Sequence, residues 1–175
     1  SGDNDAVRQS THELMQRLDY EILQPAARIF PCESQISDLE ASQGGRLPAD
    51  YRRFLNEFGG AYLGSEVEFK LPPTSQLGTT ISVEAFYGIY LPGSNTVALD
   101  LKYHINTLCD RIPDWAIPIA GAFYGNRICL AISGVHSGSI YFWDHEDPAT
   151  ELSGQAFLFS PFQEFLESGS CIGAA

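Results

Sequence analysis

Between residues 115 and 143 glycines cut the sequence into short apolar stretches, and the gaps between them leave room for turns only. Residues 116–120, 127–133 and 138–143 read as strands, punctuated by Gly121, Gly125, Gly134 and Gly138. A parallel connection needs a crossover of roughly a dozen residues or more, usually helical. None fits here, so these strands are expected to pair antiparallel. Three more segments have the same character: residues 67–71, with strict period-two alternation, residues 81–90 and residues 156–160. Residues 72–80, opening with Pro72-Pro73, read as loop, and Pro92-Gly93 reads as a turn. Residues 95–110 suit either a helix, through Leu99, Tyr103 and Ile105, or a strand, through Thr96 and Val97.

Outside residues 95–110, helical periodicity lies in the first 60 residues and at the far end of the chain. Over residues 5–23, Val7, Leu14, Leu18 and Ile22 lie on one stripe that Pro25 ends. Residues 34–43 form a second helix with Ile36 and Leu39 facing inward. Either Ser34 or the Ser37–Glu40 pair supplies its cap, and Gly44-Gly45 stops it. The third helix lies in LPADYRRFLNEFGG, where Tyr51, Phe54, Leu55 and Phe58 repeat at helical spacing and Pro48 suits the first turn. A short helix after Pro161 closes the order. Helices, then strands, then a helix give an α+β fold: a mostly antiparallel sheet of about five or six strands with helices packed on it. The expected division is an N-terminal helical extension over 1–32, one domain over 33–168 and a C-terminal tail over 169–175. Tyr51, Phe54 and Trp143 are expected to share one core.

Charge narrows the function. The 175 residues carry 22 Asp and Glu against 10 Lys and Arg, a net charge of −12, which disfavours binding to phosphate backbones. With 44% apolar residues the chain can bury a core, and disorder is excluded. No run of apolar residues is long enough to span a membrane, and the opening SGDNDAV is unlike a signal peptide. The four cysteines, Cys32, Cys109, Cys129 and Cys171, form no C-x-x-C pair, so reduced thiols in the cytoplasm are expected. Cys129, between Ile128 and Leu130, reads as a buried thiol; His12 and His104 read as solvated or capping.

No Lys or Arg follows Arg127, whereas Asp144, Glu146, Asp147, Glu151, Glu164 and Glu167 do. That stretch reads either as a solvated acidic face or as a surface complementary to a basic partner. Within it, Asp144-His145-Glu146-Asp147 gathers carboxylates and an imidazole. It is open to three readings: a turn, a partner contact, or a metal or acid–base site. Successive strand residues point to opposite faces, and no H-x-x-x-H or H-E-x-x-H pattern supplies further ligands, so no metal, cofactor or catalytic residue is expected. Gly121 to Asn126 lacks the lysine of a phosphate loop and reads as a glycine turn in which Asn126 tolerates a left-handed backbone.

Three segments taken in order, ISDLEASQGGRLPADYRRFLNEFGG, WAIPIAGAFYGNRICLAIS and GSIYFWDHED, followed by Phe162, Phe165 and Leu166, resemble the SUKH superfamily, which includes the Smi/Knr-type regulators of yeast cell-wall assembly. The resemblance spans residues 33–168. It implies an α+β domain. Bacterial members are mostly immunity proteins that neutralise a cognate toxin, often a nuclease; eukaryotic ones resemble regulatory scaffolds. It brings no catalytic residues. It does bring a structural framework of Leu47, Pro48, Tyr51, Phe54, Gly59, Gly60, Pro118, Gly125, Asn126 and Trp143. The reading is a non-enzymatic binder of a protein, possibly a basic toxin domain, whose partner-facing residues are Asp144, His145, Glu146, Asp147, Glu151 and Glu164. A regulatory scaffold and, more remotely, a metal-dependent hydrolase are the alternatives.

Overall fold

The computed structural model describes residues 11–23, 30–89, 97–147, 152 and 156–172. The opening helix, α1, covers 11–17 of these; Val7 and Pro25 lie outside the described residues. It stops earlier than residue 23, because the chain turns through Asp19 at φ 47° and Glu21 then bridges Tyr62. Helix α2 (Glu33–Gln43) buries Ile36 and Leu39 and ends at Gly44 in the left-handed region. Its cap differs from expectation: Cys32 is the N-cap, and the Gln35 side chain accepts its backbone N–H at 2.9 Å. Glu40 is thereby free to turn inward, where its carboxylate accepts the Leu47 N–H at 2.8 Å and the Arg52 Nε–H at 3.2 Å.

Helix α3 (Ala49–Phe58) buries Tyr51, Phe54, Leu55 and Phe58, the four positions its spacing marks. Pro48 is the N-cap rather than the first helical residue. Asp50 ties α3 to the closing helix α5 (Phe162–Glu167) by accepting the Gln163 N–H at 3.0 Å. The Gly59-Gly60 pair does more than stop α3. Both residues have positive φ, and a Cβ on Gly88 would stand 1.7 Å from the Gly59 carbonyl oxygen, so two glycine segments meet backbone to backbone.

Among the described residues nine strands build two antiparallel sheets: β1 (Ala61–Tyr62), β2 (Val67–Lys70), β3 (Thr80–Ile81), β4 (Val83–Phe86), β5 (Ala116–Ala122), β6 (Arg127–Ala131), β7 (Ile140–Trp143), β8 (Phe157–Phe159) and β9 (Gly169–Cys171). The larger runs β1-β4-β5-β6-β7-β8 and the smaller β3-β2-β9. The expected strand at 81–90 is in fact divided between them, with Ile81 paired to β2 and Val83 to β5. The ambiguous stretch resolves as helix α4 (Leu101–Thr107), capped by the Asp100 side chain on the Lys102 N–H at 3.1 Å.

The large sheet packs on both faces. Ile117, Ile128, Leu130 and Ile140 point into the main core with α1, α2, α3, α5 and the small sheet. Ala116, Cys129, Ala131, Tyr141 and Trp143 point the other way, onto Leu108 and Ile112 after α4. Trp143 is therefore separated from Tyr51 and Phe54: strand alternation puts it on the opposite face. The main core also extends past residues 33 and 168. Leu14, Met15 and Leu18 of the first segment belong to it, and Gly169–Cys171 pairs with β2 where a tail was expected. His104, expected to be solvated or capping, is buried and stacked on Tyr87 with ring centroids 3.7 Å apart. No helix among the described residues is long and apolar enough to cross a membrane.

Candidate functional site

The WDHED run begins where β7 ends. Trp143 is buried, Asp144, Glu146 and Asp147 are exposed, and His145 is half-buried between them. The turn closes on itself: Asp144 accepts the Glu146 N–H on Oδ1 at 2.9 Å and the Asp147 N–H on its carbonyl at 3.2 Å. It is also fastened to the neighbouring hairpin. Asn126 Oδ1 accepts both the backbone N–H of His145, at 3.1 Å, and its Nδ1–H, at 2.8 Å. The amide oxygen can only accept, so the proton sits on Nδ1. Gly125 makes room for this contact, since a Cβ there would press on the imidazole at 3.4 Å.

Two arginines brace the junction. Arg111 lies 4.8 Å from the Trp143 ring centroid and donates to the His145 carbonyl. Arg127 donates to the carbonyls of Gly125 and, at 3.2 Å, Asn126. Both cations are engaged by backbone oxygens, and Asp144, Glu146 and Asp147 of the turn are exposed. This arrangement gives Asn126 a different task from the one expected. Its own backbone is extended at φ −73°, while Tyr124 and Gly125 take the left-handed positions at φ 65° and 82°.

Tyr124 is the residue that sequence reasoning passed over. Its ring is 88% exposed at the tip of the β5–β6 hairpin, beside Phe123 at 42%. A left-handed backbone costs a residue with a Cβ roughly 1–2 kcal/mol, and this ring recovers none of that by packing inward. The available signal was two adjacent aromatics inside a glycine turn. Of the other expected partner residues, Glu164 is exposed on α5, in the layer against the opposite sheet face from Trp143, and Glu151 lies outside the described residues. Among the described residues no three His, Cys, Asp or Glu side chains are placed to hold a metal ion.

Two hollows are lined by described residues. One of about 240 Å³ is lined by Ile105, Leu108, Ile112 and Pro118, among others. The other, of about 190 Å³, is lined by Leu63, Val67, Val83, Glu84 and Phe123, among others. Both fall below the roughly 300–1,000 Å³ usual for small-molecule sites. They suit side chains of a macromolecular partner better than a metabolite.

Of the framework residues, Leu47 donates its N–H to Glu40, Pro48 is the N-cap of α3, Tyr51 and Phe54 fill the main core, and Pro118 is buried in β5. The family model for SMI1/KNR4, SUKH-1, matches residues 32–168. The chain belongs to this family. This SUKH-1 chain is also 37% identical over 154 residues to the SPbeta prophage-derived uncharacterized protein YokK of Bacillus subtilis (strain 168), covering 77% of this chain and 76% of that protein. Membership supports a protein-binding role, in immunity or regulation.

Proposed function

We propose that the chain is a non-enzymatic immunity protein of the bacterial cytoplasm that neutralises a cognate toxin, of the nuclease type, by binding it directly. The observation that carries this reading is the 144–147 turn, which holds Asp144, Glu146 and Asp147 exposed on a framework fastened through His145 and Asn126. A nuclease is basic where it grips phosphate, and an acidic surface both complements that region and speeds encounter with it. Net charge −12 acts in the same direction. A prophage-derived relative fits a gene that travels with the toxin it counters.

The test is co-expression with each neighbouring gene product of the source genome that arrests growth when expressed alone. Growth restored by the chain, together with a stoichiometric complex on size-exclusion chromatography, is the expected result. Unrelieved toxicity with no complex would overturn the proposal.

A further inference from the structure

The tip of the β5–β6 hairpin exposes two aromatic rings that the core does not use, Phe123 and Tyr124, with centroids 6.3 Å apart. They are bracketed by carboxylates. On one side Phe123 lines the 190 Å³ hollow together with the exposed Glu84. On the other, the Asn126–His145 hydrogen bonds hold Asp144, Glu146 and Asp147 alongside. The tip is set before anything binds: the Ala122 N–H donates to the Asn126 carbonyl at 2.9 Å, and Arg127 donates to Gly125 and Asn126. A rigid aromatic loses little freedom on association, and tyrosines commonly carry interface energy.

We infer that the Phe123–Tyr124 tip, flanked by Glu84 and the carboxylates of the 144–147 turn, is the anchor that receives a lysine- or arginine-bearing segment of a basic protein partner. The inference rests on the protein-binding reading above and locates its surface. The electron-rich face of a tyrosine ring attracts a cation, and neighbouring carboxylates pair with that same cation. The opposing arginines, Arg111 and Arg127, are engaged by backbone carbonyls. A second copy of the chain is disfavoured, because a two-fold contact would set identical acidic faces against each other. A nucleic acid would meet the same repulsion.

The probe is a library of random peptides displayed on phage and selected against the full chain, with the selected peptides then synthesised and measured by fluorescence polarisation. The variants are Tyr124→Asn, which keeps a residue tolerant of positive φ, the triple Asp144→Asn, Glu146→Gln, Asp147→Asn, and Asp38→Asn on the exposed side of α2 as control; circular dichroism checks each fold. Selected peptides should be rich in Lys and Arg. Tyr124→Asn and the triple variant should each weaken them about tenfold or more, the loss typical of an interface anchor, while Asp38→Asn leaves them unchanged. Peptides without basic residues, peptides indifferent to Tyr124, or no enrichment at all would each overturn this surface. So would a dimer seen by sedimentation in the native chain and lost in Tyr124→Asn, which would make a second copy the occupant. Growth rescue by the native chain in the toxin experiment, together with any of these failures, would move the binding surface and leave the immunity reading standing.

Discussion

His104 lies flat on Tyr87, 7° from parallel, and donates from Nε2 to the Ala98 carbonyl at 2.6 Å. Burial, reinforced by the charge of Arg127, holds its pKa below the usual value against the opposing pull of that carbonyl. The folded chain therefore binds fewer protons here than the unfolded chain once pH falls below about 6.5. The stability this site contributes is present above that pH and is lost as pH drops through the lower folded value. Urea midpoints of His104→Gln should consequently fall less steeply than those of the native chain on going below pH ~6.5; identical slopes would show that His104 is accessible to protons in the fold. Thiols report on burial in the same way. Cys129 is fully buried, which pushes its pKa up, whereas Cys32 is exposed and its pKa is lowered, chiefly by the Ser34 hydroxyl. A thiolate is the reactive form. Native protein should thus label at Cys32 and Cys109 and spare Cys129 until denaturant is added, and Ser34→Ala should slow labelling at Cys32, as read by peptide mass spectrometry.

At the scale of elements, α3 shows where sequence is informative. Tyr51, Phe54, Leu55 and Phe58 repeat with the helical period, and all four are buried. Phe54 meets Phe58, Phe86 and Phe162 with ring centroids between 5.2 and 5.5 Å. Phe54→Ala should cost about 3–5 kcal/mol, a loss measurable as a lowered urea midpoint; an unchanged midpoint would mean that the cavity closes or that the ring is not in the core. The two-residue strands β1 and β3 were illegible for the converse reason, since two residues carry no period. Alternation in β7 gave the phase of Trp143 but not which face meets α3, because both faces of the sheet are apolar. The capping residue of α2 was equally hidden: Ser34 and Ser37 have better cap chemistry than Cys32, and the inward pull of Leu47 and Arg52 on Glu40 is a tertiary effect.

Over the whole molecule, the antiparallel pairing of β5, β6 and β7 was legible because the glycine turns between them leave no room for crossovers, and the large sheet is antiparallel throughout. The candidate site was legible only in part. The WDHED carboxylates stand out in composition, but the Asn126 side chain that places His145 comes from 19 residues earlier in the chain, and a local pattern records no such pairing. Tyr124 was hidden for a related reason, since a non-glycine residue at φ 65° is not written into the sequence around it. In the proposed function, an acidic turn fastened beside an exposed aromatic tip meets a basic protein. Electrostatic encounter between exposed charges is screened beyond about 8 Å at physiological ionic strength, and charges at an interface rim act mainly on the association rate. The deciding measurement is stopped-flow association of the chain with the basic toxin domain proposed as its partner, across a salt series, for the native chain and for the Asp144→Asn, Glu146→Gln, Asp147→Asn variant. The native association rate should fall steeply as salt rises, the variant should associate more slowly at low salt, and the two should converge at high salt with dissociation rates little altered. Native and variant rates that coincide at low salt would contradict this reading.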